Sequence, residues 1–251
     1  MVLVPCVSIN PSKKREVQVI LDYNKKRHNM ISSDDFLLKY WKHYIQLEKE
    51  FSFTVNYVAI DSINYDTYSD AYLKIILQVG SEIDVSCKLL CSLLGESIPI
   101  GNIHKYKKCI IENIKDFCDI RINEKLSGIN SCPWEEWKFE NGVPTWWTIY
   151  NKIKHHRISV GTISGTKQEY YKFANLKHTL LSLMGLYQLM LYSYYLIAKN
   201  EGSELLVPLP GSRLFDTKSS IWKELDKGSN DISIFNESDG TLHIYTGKFD
   251  Y

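Results

Sequence analysis

The residues most able to do chemistry are concentrated in Trp146-Trp147-Thr148-Ile149-Tyr150-Asn151-Lys152-Ile153-Lys154-His155-His156-Arg157. Residues three and four apart share a face on a helix. Trp147, Asn151 and His155 therefore line up, with Lys154 close by, and Trp146, Tyr150, Ile153 and Arg157 form the neighbouring stripe. An imidazole that titrates near neutrality can exchange protons with a ribose hydroxyl or a leaving oxygen. A lysine or arginine beside it can hold phosphate and stabilise developing charge. This is a minimal set for metal-independent RNA cleavage, with the 2′-hydroxyl as nucleophile. On that reading His155 and Asn151 are the catalytic pair, and Lys154, Arg157, Tyr150 and Lys152 contact phosphate or RNA. Glu82 is the carboxylate expected to face this helix and orient the histidine. The plainer alternative stands beside it: Asn151 and His155 satisfy each other inside a helical core, and Lys152, His156 and Arg157 are its solvated side.

The elements that must position this helix are also helical. Ser32-Ser33-Asp34-Asp35 offers side-chain oxygens to unpaired backbone amides and predicts a helix start. Phe36, Leu37, Tyr40, Trp41, Tyr44, Ile45 and Leu47 follow at helical spacing, with the pattern running towards Val58. Asp61 to Asp66 reads as a turn. A second helix is expected from Tyr68-Ser69-Asp70 to about Leu94, closed by Gly95. Within it Asp84 can pair with Lys88 one turn on. A third helix is expected over Lys105 to Phe117, and a short strand at Trp137-Lys138-Phe139. Pro144 suits a helix first turn, where its missing amide costs nothing. The fourth helix covers Thr145 to Arg157, Ser159 to Thr166 is a Gly/Ser/Thr loop, and Gln168 to Lys199 is the longest helix. Beyond Pro208 turn formers become frequent. Ile232-Ser233-Ile234-Phe235 and Leu242-His243-Ile244-Tyr245 flank an Asp-Gly turn signal, which predicts a hairpin.

The bulk numbers bound the class. Hydrophobic residues make up 44% and charged residues 24% of 251, an ordinary globular balance. With 30 Lys+Arg against 29 Asp+Glu, no global field draws the chain to nucleic acid, so such binding must come from a local patch. Six cysteines are scattered without a CxxC pair, which argues for reduced thiols and against a zinc site. No metal or cofactor is expected. Thr179 to Ala198 is twenty residues without a formal charge, the length of a bilayer span. Four tyrosines, two serines and Gln188 inside it favour a buried helix instead. The N-terminus lacks a secretory pattern, so the expected compartment is the cytoplasm, without membrane association. No glycine-rich phosphate loop, HExxH or GxSxG occurs, which disfavours nucleotide-fold enzymes, zincins and α/β-hydrolases.

Tyr150-Asn151-Lys152-Ile153-Lys154-His155 resembles the signature helix of the HEPN superfamily, whose motif is Arg, a polar residue, three variable residues and His. The resemblance implies a helical bundle that dimerises and, in many members, a metal-independent endoribonuclease of toxin–antitoxin, abortive-infection or CRISPR systems. By position Asn151 matches the polar residue and His155 the histidine, while Tyr150 stands where the family has arginine. Lys154 or Arg157 would then have to hold the phosphate.

The expected fold is mainly α, an antiparallel helical bundle of four to five helices with a small β-containing C-terminal extension. Residues 1–30 form an irregular N-terminal segment, 31–200 the bundle and 201–251 the extension. The expected function is that of a HEPN-like protein of bacterial defence or toxin type acting on RNA, with a homodimer and a protein partner from such a system implied by the resemblance. Its rivals are a catalytically inactive binding or dimerisation module of the same fold, and a small-molecule sensor using the aromatic-rich core.

Overall fold

The computed structural model describes residues 31–96 and 101–217, together with the backbone of the strands Asp231–Asn236 and Thr241–Thr246. The expected irregular segment 1–30 lies outside the described residues. Ser33–Phe36, Leu37–Trp41 and Lys42–Thr54 run on as one helix, α1, whose middle portion is a π turn. Ser32 caps it, its side-chain oxygen accepting from the Asp35 amide. The helix stops at Thr54, short of Val58, and Ser62–Asn64 is a single 3-10 turn within the expected connection.

Helix α2 spans Asp70–Leu93 with Ser69 as its cap, and Gly95 follows it in the left-handed region at φ 91°. Helix α3 is Ile103–Asn113, shorter and earlier than its periodicity suggested. Helix α4 is Thr145–His156, entered through Pro144 at the cap position. Helix α5 is Leu176–Glu201, closed by Gly202 at φ 73°. The fold is mainly α, with these five helices among the described residues.

The short strands differ from expectation in place and number. Trp137 and Lys138 belong to a 3-10 turn, Glu135–Lys138, because Trp137 is drawn into the core while its neighbours stay outside. Strands β1 (Ile122–Glu124) and β2 (Asn130–Ser131) pair antiparallel, and β5 (Phe215–Thr217) joins the other edge of β1. The expected loop after α4 is instead a hairpin, β3 (Val160–Ile163) with β4 (Thr166–Glu169). Its two-residue turn has Ser164 and Gly165 both at positive φ, the mirror-image turn that matches strand twist. A 3-10 turn, Tyr170–Phe173, then leads into α5, which consequently begins eight residues later than expected. Strands β6 (Asp231–Asn236) and β7 (Thr241–Thr246) pair antiparallel in the register Ile232 to Tyr245, as the Asp-Gly signal implied.

Helix α5 is long and apolar enough to cross a bilayer, but 83% of its apolar stretch is buried by protein. It packs most extensively on α2 and also meets α1 and α4. Trp134, Trp137 and Trp146 cluster with Phe117 against it, and the ring centroids of Trp134 and Trp137 are 4.2 Å apart. Two of the three indoles are satisfied, Trp134 donating to the Gly185 carbonyl at 3.2 Å and Trp146 to that of Pro133 at 2.9 Å, while the buried Trp137 Nε1 has no partner. Residues 210–215 are tied into the same core. Leu214 and Phe215 are buried, and the Trp41 indole donates to the Pro210 carbonyl at 2.8 Å. Buried Glu48 of α1 accepts from Tyr44 Oη (2.8 Å), Ser212 Oγ (2.5 Å), the Arg213 amide (2.7 Å) and the Leu214 amide (3.2 Å). Cys87, Cys91, Cys109 and Cys118 are buried free thiols and Cys132 is half-buried. Burial raises the pKa of each, that of Cys118 to about 11. No cluster of metal-ligating side chains occurs among the described residues.

Candidate functional site

Helix α4 packs its apolar stripe inward and leaves its last turn outside. Trp146, Trp147, Ile149, Tyr150 and Ile153 are buried, whereas Lys154, His155, His156 and Arg157 are exposed. Cations suit this end, where unpaired carbonyls concentrate the negative pole of the helix. The helix sits close to α2 because of one glycine. A Cβ at Gly80 would stand 2.3 Å from the Tyr150 ring, so only a bare backbone admits that ring.

This close crossing opens an adjacent cleft of about 400 Å³. Tyr150, Asn151, Lys154 and Trp147 of α4 form one wall, Ser81 and Asp84 of α2 the second, and Gly101, Asn102 and Ile103 the third. Lys154 donates to the Tyr150 hydroxyl at 3.3 Å and lies over the same ring. Asp84 receives the Tyr106 hydroxyl at 2.7 Å and Lys88 at 2.6 Å, the helical pairing its spacing implied. Burial, and then the bond to Asp84, holds the Tyr106 hydroxyl protonated by raising its pKa. Asn151 donates to the Trp147 carbonyl of its own helix at 3.1 Å.

The expected site residues are only partly brought together. Tyr150, Asn151 and Lys154 share the cleft, with the Tyr150 ring a core group and its hydroxyl the part that Lys154 reaches. His155 follows at the solvent-facing end, its ring centroid 6.4 Å from that of His156. Arg157 caps the helix and is exposed. Lys152 lies on another side, its ammonium 5.5 Å from the centre of the Tyr170 ring. Glu82 does not serve this helix. It pairs with His43 of α1 at 3.5 Å, because two residues past Gly80 the α2 surface has turned towards α1. Asp84 is the α2 carboxylate at the cleft, and the sequence signal for it was only its spacing from Lys88.

The surroundings are cationic. From Thr145 to Phe173 the chain carries Lys152, Lys154, Arg157, Lys167 and Lys172 against a single acid, Glu169. Glu169 is itself engaged by Lys172 at 3.0 Å. A chain of formal charge +1 therefore gathers a local excess along α4 and the β3–β4 hairpin. No family model, no curated protein and no solved structure matches this chain.

Proposed function

We propose that the chain binds RNA along the cationic end of α4 and the β3–β4 hairpin and cleaves it without metal through His155. The supporting observation is the exposure of His155, with Lys154 and Arg157, at the end of α4, one helical turn from Asn151, which together with Lys154 lines the cleft. Lys154 and Arg157 hold the scissile phosphate. Asn151 offers its carboxamide to the substrate from the cleft wall. His155 takes the proton from the 2′-hydroxyl as that oxygen attacks phosphorus, and the neighbouring imidazole of His156 returns a proton to the departing 5′-oxygen. The products are a 2′,3′-cyclic phosphate and a 5′-hydroxyl end.

The resemblance of Asn151 and His155 to the HEPN motif supports the same reading, and with it an antiparallel bundle, a homodimer, a cytoplasmic setting and a protein partner of toxin–antitoxin or defence type. A second reading, a non-catalytic RNA- or protein-binding module, is favoured by Tyr150. Its buried ring stands where the family has arginine and cannot itself hold a phosphate. Incubating the purified protein with total RNA in EDTA separates the two. Cyclic-phosphate fragments are expected, and intact RNA under a protein that still binds it would leave only the binding module.

A further inference from the structure

A second cleft, of about 540 Å³, borders the β3–β4 hairpin but contains none of the residues assigned to RNA cleavage. Five stretches far apart in sequence enclose it: Asp66, residues 121–136, the start of α4, the β3–β4 hairpin and residues 173–181 leading into α5. Its volume is in the range of small-molecule sites. Trp146, Phe173, Ile163, Leu181 and Pro133 supply apolar surface, and most of the remaining lining is hydrogen-bonding side chains, donors and acceptors together.

His178 lines this cleft, and its Nδ1 is buried without a hydrogen-bond partner. That nitrogen is closed to solvent and carries the cost of an unmade bond, so a ligand meets His178 where the ring itself lines the cleft. Burial, and secondarily Lys177, lowers its pKa to about 4, so the imidazole is neutral and can give or take one hydrogen bond. The cleft is not an anion trap. The first amides of α5 are all committed: Leu176 to the Thr67 carbonyl, Lys177 to that of Tyr65, and His178 and Thr179 to Asn175. The charges that line it oppose one another, Arg121 and Lys177 against Asp66, Glu135 and Glu136. Glu136 is moreover occupied by the amide and hydroxyl of Thr145.

We infer that this cleft binds an uncharged, nucleoside-sized ligand, its heterocycle against the apolar surface with one hydrogen bond to His178 and its hydroxyls towards the Ser164–Gln168 turn. A lining with two cations against three carboxylates disfavours a phosphate, and its few apolar side chains suit a heterocycle better than a bare sugar. The site is independent of His155.

The test is binding of adenosine, guanosine, cytidine and uridine, and of their 5′-monophosphates, at millimolar concentration to the full chain. Tryptophan fluorescence and thermal shift report it, since Trp146 lies in the floor. At least one nucleoside is expected to bind and to raise the melting temperature. H178L should weaken it tenfold or more, and T166W, which fills the cleft mouth from an exposed position, should do the same without touching the core. H155A should leave it unchanged. Absence of any nucleoside binding, binding that survives T166W, or monophosphates binding more tightly than the parent nucleosides would each overturn the assignment.

Discussion

Lys154 and Arg157 stand at the negative pole of α4, where a cation is favoured by helix electrostatics whether or not a ligand is present. What distinguishes an RNA site from a solvated helix end is counterion release. If both side chains hold phosphates, K154A and R157A should each lower the slope of log affinity against log salt by about 0.7 for single-stranded RNA. Fluorescence anisotropy across a salt series measures this, and slopes equal to that of the unaltered protein would leave these cations as surface charge. His178 makes a different prediction, about stability. Its pKa is depressed in the fold to about 4 from 6.5, so the folded state disfavours the proton that the unfolded chain accepts. The stability it allows is complete above pH 6.5 and is lost as pH falls from there towards 4. At about 1.4 kcal/mol per pH unit, this one group should remove about 2 kcal/mol between pH 7.5 and 5. Urea denaturation of the protein and of H178L at both pH values checks the sign. The variant should lose that much less on acidification.

At the scale of elements, the crossing of α2 and α4 sets the geometry of the first cleft. Gly80 permits it by leaving room for the Tyr150 ring. G80A should push α4 outward, costing about 1–3 kcal/mol by overpacking and weakening RNA binding with it. A melting curve together with the anisotropy assay tests this, and unchanged binding beside lowered stability would detach the cleft from the RNA site. The sequence made much of this legible. Ser69 and Gly95 bracket α2 because capping and left-handed turns are local chemistry, and Ser32 does the same for α1. The facing carboxylate was not legible, since whether Glu82 or Asp84 points to α4 depends on where Gly80 lets the helices touch. The β3–β4 hairpin was missed for a local reason. Gly161 and a run of small polar residues conceal the strand pattern, and only the Ser164-Gly165 turn betrays it. The pairing of β1 with β5 joins residues some ninety positions apart, and no short-range pattern reports it.

At the scale of the whole molecule, α5 is the axis on which α1, α2 and α4 pack, and residues 210–215 return to close the core. Glu48 secures that return, with two hydroxyls and two backbone amides converging on its carboxylate. Burial, and secondarily Glu48, pushes the Tyr44 hydroxyl well above its ordinary range, so it stays a donor. E48A would leave the Arg213 and Leu214 amides without a partner and should cost about 2–4 kcal/mol, read as a lowered urea midpoint. An unaltered midpoint would mean that burial of Leu214 and Phe215 and the pairing of β5 with β1 hold the 212–215 segment without Glu48. The aromatic and aliphatic periodicities announced a mainly α core, and the tyrosines of α5 announced its burial among protein groups. Lys152, Lys154 and Arg157 announced a cationic helix end, but its continuation through Lys167 of the hairpin and Lys172 was not legible, because the segment after the helix read as a loop. The account rests most heavily on His155, and its most direct test is cleavage of a labelled single-stranded RNA in EDTA by the protein and by H155A, with melting temperatures measured alongside. The unaltered protein should produce cyclic-phosphate ends, and H155A should lose at least a hundredfold of that rate with its melting temperature unchanged. Equal rates, or no cleavage by either protein, would contradict it.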